Sequence, residues 1–169
     1  LAERTFEVKC SSSNCIDFFH PAISHLALSS ENKKPDLTIY ITDCKTAKLK
    51  FPDLSNKIDK YSGKVIKLNW GNSFADHNSG TISIVNQTLS MAHFIVRDLA
   101  LVPEWEKSFP FRKLLHLWLG DKNNTFIHAG AVGKNSGGAL LVGKGGSGKS
   151  TAVLSCLGSG LKYAGDDFV

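Results

Sequence analysis

Apolar and polar positions alternate with a period of two over several short stretches of the first hundred residues, the spacing of half-buried β-strands. Thr5 to Val8 sets Phe6 and Val8 on one side and ends at the polar turn Ser11-Ser12-Ser13-Asn14. Asp36 to Thr42 places Leu37, Ile39 and Ile41 on one face and Thr38 and Tyr40 on the other. Lys64 to Trp70, Thr81 to Val85 and Ala92 to Val96 read as further strands, separated at Gly71-Asn72-Ser73 and Asn78-Ser79-Gly80. Ile16 to Leu28, interrupted by Pro21, has no clean period and reads as a loop with room for a short helix. The expectation for this half is an antiparallel β unit, with Asp43, Asp53, Asp59 and Asp76 as turn and surface carboxylates.

The period changes after Pro103. Phe111, Leu114, Leu115, Trp118 and Leu119 follow helical spacing, with Ser108 available as a cap and Gly120 as a stop. A domain boundary is expected between Leu101 and Ser108, giving a β-rich domain over 1–105 and a second domain over 106–169, with this helix packing one on the other. Thr125 to Val132 reads as a strand, 133–138 as a turn, and Ala139 to Val142 as a returning strand. A helix from Lys149 to about Leu157 follows, stopped by Gly158-Ser159-Gly160, and Leu161 to Ala164 forms a last strand that ends at Asp166 and Asp167. The fold class is α+β: an antiparallel β unit, then the start of an α/β domain.

Between that returning strand and helix lies the strongest chemical signal in the chain. Gly143-Lys144-Gly145-Gly146-Ser147-Gly148-Lys149-Ser150, followed by Thr151, fits G-x-x-x-x-G-K-[ST] in the strand–loop–helix setting that the phosphate-binding loop requires. The glycines let backbone N–H groups converge on phosphate oxygens, Lys149 neutralises the outer phosphates, and Ser150 offers a hydroxyl to Mg²⁺. The helix adds further amides and the positive end of its dipole. If the hairpin before the loop is centred between Asn135 and Ser136, His128 stands across from Gly143, close to a bound nucleotide. Asp166 and Asp167, one helix and a turn beyond Lys149, are what metal coordination and proton abstraction would need.

Composition narrows the partners. Twenty Lys and Arg against 15 Asp and Glu give a formal charge of +5, suited to an anionic ligand, but the cations are interleaved with acids and do not form a nucleic-acid stripe. No apolar run is long enough to span a bilayer and no signal peptide opens the chain, so a membrane is not expected and the cytosol is the default. Cys10, Cys15, His20 and His25 lack the long connection that zinc pairs use, and Cys156 is expected as a small buried residue. The chain starts at Leu1 and stops at Val169 inside an expected strand, which reads as a fragment.

His128-Ala129-Gly130-Ala131-Val132, the loop from Gly143 to Ser150, and Leu161 to Val169 with its paired aspartates together resemble the catalytic domain of HPr kinase/phosphorylase and its bacterial serine-kinase relatives. The resemblance covers roughly 111–169. It implies a domain of the HPr kinase-like and phosphoenolpyruvate carboxykinase-like type, truncated here. ATP and Mg²⁺ would be held by the loop, with Lys149 and the amides on the phosphates and with Ser150 and Asp166 toward the metal. His128 would assist near the transferring phosphoryl group, and Asp167 would take the proton of an acceptor hydroxyl. Gly145 stands where the bifunctional enzymes usually carry serine, and the first hundred residues do not resemble their regulatory domain. The implied acceptor is a serine in a protein or peptide, or a small hydroxyl metabolite, and an oligomer is compatible with this reading. A nucleotide-responsive binding module without turnover is the alternative, and a switch GTPase is disfavoured because no guanine-reading motif occurs.

Overall fold

The computed structural model describes residues 4–28, 34–53, 63–120 and 124–166. It divides into two compact units, Leu1–Asn123 and Asn124–Val169. The boundary expected between Leu101 and Ser108 falls inside the first unit, because the helix after it packs on strands of that unit.

The first unit carries a six-stranded sheet in the order β1-β2-β6-β5-β4-β3. Its strands are β1 (Phe6–Cys10), β2 (Leu37–Asp43), β3 (Lys64–Leu68), β4 (Gly71–Asp76), β5 (Thr81–Asn86) and β6 (Met91–Val96). The expected antiparallel unit is corrected here to a mixed sheet: β1, β2 and β6 pair in parallel, and only β6, β5, β4 and β3 pair antiparallel. The reason is α1 (Ser13–Ile23), an 11-residue helix that carries the chain from β1 back to the start of a parallel neighbour. Pro21 lies in its last turn, where losing one N–H does not break it.

One face of this sheet makes the core. Leu37, Ile39 and Ile41 of β2, Ala92, Phe94 and Val96 of β6, and Val85 of β5 are all fully buried. They lie under α1 and under α3 (Arg112–Gly120), whose Leu114, Leu115, Trp118 and Leu119 face inward. Phe19 of α1, Phe94 of β6 and Phe111 form an aromatic cluster, with ring centroids 5.2 Å apart for Phe19–Phe111 and 5.1 Å for Phe94–Phe111. Phe111 has φ 64, a left-handed corner between the short α2 (Glu104–Ser108) and α3. Ser108, expected as the cap of the long helix, instead ends α2, where its hydroxyl donates to the Glu104 carbonyl.

Two of the aspartates read as surface residues are buried. Asp43 accepts from the amide of Lys45 and the hydroxyl of Thr46, closing the turn after β2. Asp76 accepts from the amides of Asn78 and Ser79 and pairs with Lys113 of α3. Burial alone would raise the Asp76 carboxyl, but Lys113 and the two amides more than offset it and hold it below the usual range. Asp59 lies outside the described residues. Asp43→Ala removes an acceptor from two groups at once and is expected to lower stability by about 2 kcal/mol, read from the urea midpoint; an unchanged midpoint would deny the turn this role.

The second unit is a three-stranded antiparallel sheet, order β8-β7-β9, with α4 (Lys149–Leu157) packed on it. β7 (Ala129–Lys134) and β8 (Gly137–Val142) form a hairpin around Asn135 and Ser136, a tighter turn than expected, and β9 (Lys162–Gly165) pairs with the other edge of β7. Among the described residues no helix is long and apolar enough to cross a membrane.

Candidate functional site

The hairpin register decides what meets at one end of the small sheet. Ala129 pairs with Val142 at the end of the ladder, so His128 and Gly143, the first residue of the glycine-rich loop, are the next residues beyond it on the two strands. The conditional register read from the sequence is the one present. His128 is exposed there. Both β8 and β9 run antiparallel to β7, hence parallel to each other, and both end beside the start of β7. The loop, His128 and Asp166 therefore gather at the same edge of the unit.

A bulge sets which way Asp166 faces. Val132 pairs with Tyr163 but Ala131 pairs with Gly165, leaving Ala164 as an extra residue in β9. Continued from Gly165, the register puts Asp166 beside Gly130, the residue whose α-carbon faces Val153 of α4. The Asp166 carboxylate thus shares the α4 side of the sheet with the loop helix. Its Oδ1 is buried and has no hydrogen-bond partner among the described residues. A buried carboxylate oxygen left unpaired is costly, and a cation or a hydroxyl proton would relieve that cost.

The loop turns sharply into the helix that follows it. Gly146 and Gly148 take φ values of 75 and 87, in the left-handed region that side chains disfavour, and they turn the chain into α4. The first backbone bond into α4 runs from the Ala152 amide to the Gly148 carbonyl, so the amides of Lys149, Ser150 and Thr151 precede the helical ladder. Lys149 reaches back over the loop, its Nζ donating to the carbonyls of Gly143 at 3.1 Å and Lys144 at 3.2 Å. Lys144, Gly145, Ser147, Ser150 and Thr151 are exposed. A Cβ on Gly145 would meet nothing within 4 Å, so serine fits there equally well.

The site is thus partly assembled. His128, the loop and Asp166 come together; Asp167 lies outside the described residues. Ser150 and Asp166 supply a hydroxyl and a partnerless carboxylate oxygen, a donor set that suits Mg²⁺, which takes one or two carboxylates together with phosphate oxygens. Cys156 on α4 is only half-buried. Sequence reasoning passed over Gly130 as a site residue, since close approach of a strand to a helix leaves no local signature. No protein-family model, no curated protein and no solved structure matches the chain.

Proposed function

We propose that the chain carries the nucleotide site of a cytosolic ATP-dependent kinase, related to HPr kinase/phosphorylase, that transfers the γ-phosphoryl group to a hydroxyl of a protein, a peptide or a small metabolite. The observation that carries this reading is the gathering of the glycine-rich loop, His128 and the unpartnered carboxylate oxygen of Asp166 at one edge of the sheet. Loop amides and the start of α4 bind the phosphates, and Lys149 exchanges its two carbonyl partners for phosphate oxygens. Ser150 and Asp166 would hold Mg²⁺, which when bound would supply charge neutralisation on the phosphates. Asp167 accepts the hydroxyl proton, and His128 orients the phosphoryl group from across the loop. Phosphoryl transfer asks mainly for positioning and charge, and these groups provide both.

The test is transfer from γ-labelled ATP to serine peptides and hydroxyl metabolites, with Asp167→Asn as control. Label on a hydroxyl that disappears in the variant is the expected result. Tight ATP binding without transfer to any acceptor would favour a nucleotide-responsive module instead.

A further inference from the structure

We propose that Gly130 is a positioning residue of this site: its missing side chain sets how closely α4 approaches β7, and so where Lys149 stands relative to Asp166. The proposal rests on the phosphate-binding reading above. A Cβ built on Gly130 would overlap Cγ2 of Val153 and would stand 3.5 Å from Asp166 Oδ1 and 3.7 Å from the Lys149 carbonyl oxygen. The Asp166 carboxylate and the backbone of the first residue of α4 therefore lie around one position on the central strand. By contrast, a Cβ on Gly145, within the loop itself, has open space.

Val153 cannot give way. It is fully buried, and a β-branched side chain in a helix has essentially one χ1 rotamer. Relief must come from α4 as a body. Lys149 lies one turn ahead of Val153 on the same helix face, so a helix pushed off the strand carries the loop lysine and the first amides with it. The overlap calls for a displacement of roughly 1 Å, a misplacement that costs up to about a hundredfold where geometry carries function. Asp166, on the other strand, stays with β7. Gly130 thus fixes the separation between the phosphate side and the carboxylate side.

Gly130→Ala, Val153→Ala and the double variant test this in the full chain, by amide chemical shifts of 143–151 without ligand and by calorimetry with Mg²⁺-ATP. Gly130→Ala is expected to move the loop amides and weaken ATP binding by about tenfold to a hundredfold. Removing the Val153 methyl groups opens the space for the new Cβ, so the double variant should return to within about twofold of Val153→Ala alone. A folded Gly130→Ala protein with unmoved loop amides overturns the proposal, as does a double variant no better than Gly130→Ala. Should Gly130→Ala fail to fold, the double variant decides: folded with the loop shifts of Val153→Ala supports the proposal, and unfolded beside a folded Val153→Ala overturns it. If the wild type does not bind ATP, the phosphate reading falls, while the ligand-free loop shifts still decide the role of Gly130.

Discussion

Lys149→Ala is expected to weaken ATP binding by about a hundredfold or more while leaving the fold in place. The side chain does not enter the core; its ammonium group lies over the loop, tied to the carbonyls of Gly143 and Lys144. A hydrogen bond from a charged group contributes about 1.5–3 kcal/mol, and the lysine would make such bonds to oxygens that are themselves charged. Losing two of them reaches or exceeds a hundredfold. Titration calorimetry with Mg²⁺-ATP gives the affinity, and far-UV circular dichroism checks that α4 and the sheet persist. A variant that binds ATP as tightly as wild type would show that the loop is not a phosphate site.

The second large effect concerns pH and the first unit. Glu106 on α2 is 2% exposed, and burial pushes its carboxyl up from 4.5 to about 7, against the pull of Lys113 and Arg112 and with added repulsion from Asp76. Its carboxylate accepts from the amide of Phe111, the residue at the left-handed corner whose ring joins the aromatic cluster. The folded state holds this proton more tightly than the unfolded chain does. The stabilisation is complete below pH 4.5, declines as pH rises, and is lost above about 7; its size is on the order of 3 kcal/mol. Glu106→Gln keeps an acceptor for Phe111 but cannot ionise. The variant should match wild type near pH 4.5 and exceed it above pH 7. All three tryptophans, Trp70, Trp105 and Trp118, lie in the first unit, so fluorescence-detected unfolding of the whole chain reports on that unit. Parallel stability curves for the two proteins from pH 4.5 to 8 would contradict this account.

What could be read in advance follows from which interactions are local. The helix Lys149–Leu157 agrees with its expected limits because a glycine-rich turn precedes it and Gly158 and Gly160 follow it. The register of β7 with β8 was legible because a two-residue turn determines it. Parallel pairing of β1, β2 and β6 was not, since it depends on α1, whose pattern Pro21 obscures. β4 was missed because Gly71-Asn72-Ser73 reads as a turn, whereas Gly71 starts a strand and lies against the Val85 carbonyl, where a side chain would not fit. Buried Asp43, Asp76 and Glu106 carry no sequence signal that separates them from surface acids. In the second unit the glycine-rich loop and the acidic strand end could be found from residue types, but the side of the sheet on which Asp166 lies could not.

The extra residue in β9, accommodated as a bulge, decides which face of the sheet receives Asp166. Ala164 carries no chemistry, and a conservative replacement there should pass unnoticed. If β9, with Ala164 kept, paired regularly from Tyr163 onward, Asp166 would come across from Ala129, with its carboxylate turned to the face away from α4. Every side chain proposed for phosphoryl transfer would still be present, yet the acid would be on the wrong side of the sheet. Deleting Ala164, by contrast, would straighten β9 and leave Asp166 beside Gly130, so a search for relatives of this domain should accept a one-residue gap at that position.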